Sequence, residues 1–324
     1  MNKLDEFSQL TLDLYRSVSC VKPDGFRGWA FDRLQQFIEF DSAIWIQATL
    51  VEDIPVTQNV YLHNQPDVML EEYAKWNSDD VILEAIMCNP GRCFLWRDLE
   101  DFEMRYKTEM YREYESKYGL EDCVSIMIPF GGSGIQTFLS LYRSQRERPF
   151  TINDGECFQA IAPHLVEAES TLLTRHIRHT HGIGQADHSV AMIGKEGHLK
   201  MAEMGFIGCL NTGWPDWNPP QIPIEILSSV NHMKETGEVV NGYFVQARQA
   251  ADGVVLSIRL MRPLDLLTLR EQQVATMVAD GMPYKVVAKE LDISPSTVTN
   301  HINSVHSKLE VTSRAELRKA LRDS

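Results

Sequence analysis

The last sixty or so residues contain start and stop signals for four short helices, and this pattern constrains the fold more than any other feature of the chain. Thr268 lies three residues before Glu271, which is the capping-box spacing and predicts a helix over 269–280. Gly281 suits the position after that helix, because glycine adopts the left-handed conformation at little cost. A second helix is predicted over 283–291, with a proline in its first turn.

A third and a fourth helix are predicted after short turns. Ser294 is an N-cap candidate ahead of Pro295. The apolar residues of the third helix recur at helical spacing, at Val298, Ile302, Val305 and Leu309. Ser313 and Glu316 repeat the capping-box spacing before the last helix. Two short helices joined by a three-residue turn form a helix-turn-helix, so the sequence predicts an all-α four-helix domain of this kind over 264–324.

This segment resembles the LuxR-type helix-turn-helix family. The residues that carry the resemblance are Leu267, Thr268, Arg270, Glu271, Ala279, Gly281, Lys285, Val287, Ala288, Leu291, Ile293, Ser294, Thr297, Val298, His301, Lys308, Leu309, Arg314, Glu316 and Leu317. The resemblance implies that the third helix lies in the major groove of double-stranded DNA and that the protein binds as a homodimer.

The resemblance also implies which side chains contact DNA. It assigns base contacts to three polar residues of the third helix, Thr299, Asn300 and Asn303. It assigns phosphate contacts to Ser296, Thr297 and Lys308. Asparagine can pair with adenine through two hydrogen bonds, and the threonine methyl group can contact thymine. A solvated helix face is the alternative interpretation of each polar residue.

Charge is distributed unevenly along the chain. The net charge is −14, but residues 264–324 contain eight basic and eight acidic residues, so residues 1–263 carry the whole excess of negative charge. An acidic body repels DNA, whereas a neutral tail does not. The pattern is compatible with a regulatory body joined to a DNA-binding tail.

Several classes of protein are disfavoured by what the sequence lacks. The six cysteines show no CxxC spacing, which predicts reduced thiols and no metal site. The chain contains no long apolar segment and no basic, apolar leader at its start, which predicts a cytoplasmic protein without a membrane partner. No GxSxG, HExxH, P-loop or dinucleotide motif is present, so we expect neither an enzyme nor a cofactor.

Residues 1–180 alternate strand-like and helical runs and predict an α+β domain. A strand is predicted over 42–50, a hairpin around Gly131–Gly132, and a long helix that Thr151 or Asn153 caps. The region also contains Tyr73, Trp76, Asp79, Asp80, Val81, Phe94, Trp96, Asp98, Leu99, Ser125, Pro129, Gly131, Gly132, Ala162, Pro163, His164 and Leu165. In these residues it resembles GAF-type and autoinducer-binding sensor domains.

A sensor of this kind is expected to hold its ligand in an apolar cavity with aromatic walls and a few polar groups. The candidate ligand-binding residues are Trp45, Tyr61, Tyr73, Trp76, Asp79, Trp96 and Ser125. Ordinary core packing is the alternative for the aromatic residues. Acyl-homoserine lactone receptors carry a tryptophan and a tyrosine at the positions of Pro66 and Leu70, which argues against a lactone ligand here.

A polar, glycine-containing linker is predicted over 180–187, followed by a small domain over 188–262 that weakly resembles a PAS domain. Strands are predicted at both ends of this domain, with a short helix over 224–233 between them.

Together these features predict a sequence-specific DNA-binding transcription regulator. A sensor region that responds to a small ligand or a regulatory protein would control it, and RNA polymerase would be a further partner. Two alternatives stay open: a sigma-factor-like subunit of the transcription machinery, and a ligand-independent regulator that a protein partner controls.

Overall fold

The computed structural model describes residues 3–51, 54–183, 187–230 and 237–322. Its first part is a five-stranded antiparallel sheet with the strand order β2-β1-β5-β4-β3. The strands are β1 (Ser42–Val51), β2 (Ile54–His63), β3 (Phe94–Leu95), β4 (Asp122–Phe130) and β5 (Ile135–Arg143). The helices are α1 (Lys3–Ser17), α2 (Pro23–Leu34), α3 (Val68–Tyr73), α4 (Val81–Cys88), α5 (Phe102–Arg105) and α6 (Ile152–Thr180).

Each face of this sheet packs against its own core. Successive side chains of a strand point to opposite faces, so Ala43 and Trp45 of β1 pack in one core, while Ile44 and Ala48 pack in the other. The first core lies between the sheet and α1, α2 and α6. The second lies between the sheet and α3, α4 and the connecting segment 96–120.

The long helix α6 confirms the sequence prediction and decides which residue caps it. The Asp154 amide donates to Thr151 Oγ1 at 3.1 Å, and the Thr151 amide donates to Asp154 Oδ2 at 2.9 Å. These reciprocal bonds form a capping box, which satisfies amides that the first turn of a helix leaves unpaired.

Residues 189–260 form a second five-stranded antiparallel sheet, in the order β7-β6-β10-β9-β8. Its strands are β6 (Ser189–Ile193), β7 (Leu199–Ala202), β8 (Glu238–Val240), β9 (Tyr243–Ala250) and β10 (Gly253–Leu260), and its helices are α7 (Met204–Gly213) and α8 (Ile224–Val230). When the strands are counted from the first strand of each sheet, both sheets have the order 2-1-5-4-3. Residues 231–233 of the predicted helix and residues 184–186 of the predicted linker lie outside the described residues.

The two sheets contact each other through β1 and β7. Thr49 Oγ1 donates to the Leu199 carbonyl and Gln47 Nε2 donates to the Lys200 carbonyl, both at 3.1 Å. Phe130 and Ile135 of the first part pack into the core of the second. The hairpin between β4 and β5 therefore packs against the core of the second part as well as within the first part.

The C-terminal residues form four helices around a small core, as the sequence predicts. The helices are α9 (Leu269–Ala279), α10 (Tyr284–Glu290), α11 (Pro295–Leu309) and α12 (Arg314–Arg322). Thr268 and Glu271 form the expected capping box, and Ser294 Oγ accepts from the Thr297 amide at 3.1 Å. The prediction that Pro283 lies in the first turn of the second helix is wrong, because Pro283 is the N-cap of α10.

Among the described residues, none of the helices combines the length and the apolar content that crossing a bilayer requires.

Candidate ligand cavity and nucleic-acid interface

A cavity of about 490 Å³ lies in the second core of the first sheet, and a drug-sized ligand needs a volume of this order. The sheet forms one wall, and α3, α4 and the connecting segment form the others. Its apolar lining includes Ile44, Ile46, Val60, Leu70, Ile82, Leu83, Ile86, Met110, Leu120 and Phe138. The cavity therefore presents mostly hydrocarbon surface to whatever it contains.

Asp80 and Tyr73 form the first polar group in the cavity wall. Asp80 caps α4, since Oδ1 accepts from the amides of Ile82 and Leu83, each at 3.0 Å. Its other oxygen, Oδ2, accepts from the Tyr73 hydroxyl at 2.7 Å. Burial raises the pKa of Asp80 despite these hydrogen bonds, and burial together with the nearby carboxyl raises the pKa of Tyr73. The aspartate is thus held rigidly, and one oxygen keeps acceptor capacity towards the cavity.

A second polar group lies on the sheet. Ser125 Oγ donates to Ser140 Oγ at 2.5 Å, and Cys123 Sγ lies 3.3 Å from the same Ser125 oxygen. Tyr142, the next residue on this face of β5, also lines the cavity, and burial raises its pKa well above the ordinary value. These hydroxyls offer hydrogen bonds to a ligand without adding charge.

Arg105 fixes the aromatic wall beside these groups. Its guanidinium lies over the Trp96 ring, 3.4 Å from the ring centroid, and Nε donates to Glu115 Oε2 at 2.9 Å. Two more hydrogen bonds run to the carbonyls of Leu120 and Glu121, at 2.6 and 2.8 Å. Burial raises the pKa of Glu115 to about 7, although Arg105 opposes this change. Arg105 therefore holds Trp96 and the connecting segment in place.

Three of the predicted ligand-binding residues, Tyr73, Trp96 and Ser125, line the cavity. That they contact a ligand stays a prediction. The prediction that Trp45 and Tyr61 line the cavity is wrong, because they lie on the opposite face of the sheet and pack in the first core.

Trp76 and Asp79 do not line this cavity, and ligand contact by either residue stays a prediction. Trp76 packs at the edge of the second core. Asp79 is exposed, and its carboxylate accepts from Ser78 Oγ at 3.2 Å. The adjacent Asp80 lies in the cavity wall instead. A sequence signal for Asp80 existed, because it directly precedes the apolar run 81–88 as an N-cap residue should.

Helix α11 presents one apolar and one polar face. Val298, Ile302 and Val305 are buried in the four-helix core. The predicted base-contacting residues Thr299, Asn300 and Asn303 are all exposed. Within the described part of the chain neither asparagine side chain has a hydrogen-bond partner, whereas Thr299 Oγ1 donates to the Pro295 carbonyl at 3.1 Å. Both amides are therefore available to an outside partner, and DNA contact by the three residues stays a prediction.

Hydroxyl groups cluster at the N-terminus of α11, where the helix dipole favours anions. Ser294 Oγ lies 2.6 Å from Ser296 Oγ and 2.8 Å from Thr297 Oγ1. Ser296 is exposed and Thr297 is half-buried. The arrangement suits a phosphate oxygen, and phosphate contact by Ser296 and Thr297 stays a prediction.

Lys308 has a partner within the domain, and phosphate contact by this residue stays a prediction. Its ammonium donates to Glu271 Oε2 at 2.6 Å, so the helix-turn-helix itself uses the charge that we assigned to a DNA phosphate. Glu271 is buried, and it also accepts from Ser304 Oγ at 2.6 Å and from the Thr268 amide at 2.7 Å. Burial alone would raise the pKa of Glu271, but the hydrogen bonds outweigh it and lower the pKa to about 2. The ion pair joins α9 to α11.

A Lys308→Met variant is expected to destabilise the C-terminal domain by about 1–2 kcal/mol, because it leaves a buried carboxylate without its cation. The estimate is kept low because Lys308 is 37% exposed and solvent screens the pair. Hydrogen exchange of the α9 and α11 amides measures the loss at neutral pH. Since the pKa of Glu271 is lowered in the folded state, this stabilisation is present above pH 4.5 and is lost as the pH falls towards 2.

The difference in stability between Lys308→Met and the parent protein should therefore be smaller in acid. The exposed Lys289→Met on α10 is the matched control, and we expect normal protection for it. Unchanged protection in Lys308→Met at neutral pH would contradict the role of the ion pair.

Comparison with known proteins identifies the C-terminal part. Residues 265–320 match the family model of bacterial regulatory proteins of the luxR family. The monoamine regulon transcriptional regulator of Klebsiella aerogenes is 42% identical over 52 residues, which are 16% of this chain and 23% of that protein. The nitrate/nitrite response regulator NarL of Escherichia coli is 31% identical over 94 residues, 29% of this chain and 43% of NarL. The chain thus aligns with less than half the length of these relatives.

Solved structures give weaker likenesses. Escherichia coli SdiA is 14% identical, with 98% of this chain and 97% of SdiA covered and a TM-score of 0.41. The N-acylhomoserine lactone dependent factor CepR2 of Burkholderia cenocepacia is 16% identical, with 53% and 98% covered and a TM-score of 0.38. The family model covers the same region as the capped helices, and residues 265–320 form a LuxR-family helix-turn-helix domain.

Proposed function

We propose that this protein is a sequence-specific transcription regulator whose binding to double-stranded DNA is controlled by its N-terminal region. The observation that carries the proposal is the exposed polar face of α11 within a LuxR-family domain, formed by Thr299, Asn300 and Asn303. A helix of this kind reads base edges in the major groove with its N-terminal half. The matching curated relatives are transcriptional regulators, which favours regulation over catalysis.

The domain organisation belongs to the same proposal. Residues 1–180 form a GAF-like or autoinducer-binding-like sensor, residues 188–262 a PAS-like domain, and residues 264–324 the DNA-binding domain. The shared strand order of the two antiparallel sheets supports related folds for the first two. The cavity of about 490 Å³ in the first favours control by a small ligand over control by a protein partner alone.

A homodimer on a two-fold DNA site, with RNA polymerase recruited beside it, completes the proposal. In the helix-turn-helix, Lys308 is paired internally and few residues of the α11 face are basic, so one copy makes few phosphate contacts. Two copies on one site double that electrostatic contribution.

The decisive experiment is selection of binding sites from a random DNA library by the full-length protein. Recovery of one motif supports the proposal, and recovery of no sequence preference, with or without added cell extract, contradicts it. Asn303→Ala is then expected to lose about 1–3 kcal/mol on the selected site, about five- to 150-fold in affinity, and to relax the preference at one base pair. Fluorescence anisotropy at fixed salt concentration measures this loss.

Gln273→Ala, on the exposed surface of α9, is the control and should retain the affinity of the parent protein. If Asn303→Ala weakened binding equally on all sequences, asparagine would contact the backbone, and our placement of α11 in the groove would be wrong.

A further inference from the structure

The charged groups at the polar end of the cavity are almost all acidic. Within the described residues the cavity lining contains Asp80 and Glu115 but no lysine or arginine. A guanidinium lies just behind the wall, but Arg105 is used by Glu115 and by two backbone carbonyls. A carboxylate or phosphate ligand would therefore find no cation to pair with, and it would face the Asp80 carboxyl.

A smaller opening of about 200 Å³ adjoins this end of the cavity and shares Asp80, Trp96 and Glu115 with it. Its lining adds three more acids, Asp79, Glu100 and Glu109, and one base, Arg105, which Glu115 already pairs. Acids outnumber the one base in this lining, and an excess of charge of one sign concentrates ligands of the opposite sign. This side of the cavity therefore attracts cations and repels anions.

Aromatic rings surround the same end. The rings of Tyr73 and Tyr114 lie 5.8 Å apart, those of Trp96 and Tyr142 lie 6.2 Å apart, and all four residues line the cavity. The Tyr73 hydroxyl donates to Asp80 at 2.7 Å, so one ring of this set directly adjoins the carboxylate. Ammonium groups bind to aromatic faces of this kind, most strongly where water is excluded.

We propose that the ligand of this cavity is an amphiphile with a cationic ammonium head group and a short apolar tail. The head group would lie between Asp80 and the rings of Tyr73, Tyr114 and Tyr142, since Arg105 already covers one face of Trp96, and the tail would lie against the aliphatic lining. The inference rests on the proposed function, in which the cavity is the sensor site. Burial makes ionisation of Asp80 costly in the empty cavity, and a bound cation would offset that cost.

The test compares four probes with the same eight-carbon tail: octyltrimethylammonium, octylammonium, 1-octanol and octanoate. Isothermal titration calorimetry with the full-length protein measures each affinity. We expect the two ammonium compounds to bind at least about tenfold more tightly than 1-octanol, and octanoate to bind most weakly. Asp80→Asn should remove most of the preference for ammonium and leave the affinity for 1-octanol within about twofold, because asparagine can still cap α4.

Asp216→Asn, which removes an exposed carboxylate on the second part of the chain, is the control and should change none of the four affinities. If Asp80→Asn does not fold, the order of the four probe affinities for the parent protein tests the inference by itself. The further variant Asp79→Asn, on the exposed rim, should then slow the association of the ammonium probes.

Two results would overturn the inference, and they differ in what else they affect. Binding of 1-octanol or octanoate as tight as that of the ammonium compounds would refute the cationic head group and leave the cavity as a ligand site. Absence of binding by all four probes would refute both the inference and the sensor role of the cavity in the proposed function.

Discussion

An Arg105→Ala variant is expected to lose about 3–5 kcal/mol of folding free energy, because it leaves a buried carboxylate without its partner. Arg105 is 2% exposed, and its contacts include a carboxylate, two carbonyls and the Trp96 ring. Truncation would remove all of these contacts at once. Urea unfolding followed by tryptophan fluorescence reports the loss, since Trp96 lies in the affected wall.

The neighbouring Arg112 provides a matched control. It is exposed, and its Nε donates to the Thr108 carbonyl at 3.3 Å. Arg112→Ala removes the same side chain from the same segment, so we expect a change within about 0.5 kcal/mol. Equal losses in the two variants would show that Arg105 does not organise the wall of the cavity.

The loss of folding free energy in Arg105→Ala should depend on pH. The pKa of Glu115 determines whether the loss is larger in acid or in base. The pKa of Glu115 is raised from 4.5 to about 7 in the folded protein, so the folded state binds more protons than the unfolded state in this interval. Stability from this group is therefore full below pH 4.5 and declines as the pH rises towards 7. Without Arg105 the pKa rises further, so the deficit of the variant should be smaller at pH 5.5 than at pH 8. A deficit that grew in acid would contradict this account.

Local signals explain what the sequence predicted correctly. The caps at Thr151, Thr268 and Ser294 satisfy amides within three residues of themselves, so a short window of sequence contains the whole interaction. The four C-terminal helices and the hairpin from β4 to β5 followed from such windows. Their prediction required no knowledge of the tertiary fold.

Contacts between distant residues explain most of what the sequence did not predict. An aromatic residue on β1 suits either core, and only the placement of α2 and α6 decides that Trp45 faces away from the cavity. Lys308 reaches Glu271 across 37 positions, which no spacing rule anticipates. Asp79 and Asp80 are adjacent in the sequence, yet the start of α4 places only Asp80 in the cavity wall.

Elements with weak propensity were missed for a different reason. Strand β2 contains Pro55 and lies at the edge of the sheet, where half of its side chains face solvent. Helix α7 contains Gly205 and Gly208, and glycine lowers helix propensity by roughly 1 kcal/mol per residue. Burial of Phe206 and Leu210 in the core of the second part stabilises that helix instead.

An Arg259→Ala variant is expected to destabilise the junction between the second sheet and the helix-turn-helix by about 3–5 kcal/mol. Arg259 donates to both oxygens of Asp265, at 2.6 and 2.7 Å, and to His188 Nε2 at 2.8 Å. Its guanidinium also lies over the Phe244 ring, 4.4 Å from the centroid. Asp265 begins the C-terminal part and its side chain is 9% exposed, so its carboxylate would lose its cation at a position with little access to water.

The same junction contains its own control. The ion pair of Arg262 with Asp187 has side chains 39% and 40% exposed, against 8% and 9% for Arg259 with Asp265. Exposed pairs contribute about 0–1 kcal/mol, so Arg262→Ala should have little effect. Comparing the two variants shows how much of the stabilisation depends on the burial of the ion pair.

The loss of this junction should also affect regulation of DNA binding. Arg178, at the end of α6, donates to Glu203 Oε1 at 2.9 Å and to the His188 carbonyl, and the His188 ring contacts Arg259. A continuous set of polar contacts thus connects the helix behind the first sheet to the start of the DNA-binding domain. In the proposed regulator, Arg259→Ala should leave ligand affinity unchanged and abolish the change in DNA affinity that ligand causes. If ligand still altered DNA affinity by the parental factor, control would pass between the domains by another route, such as the dimer interface.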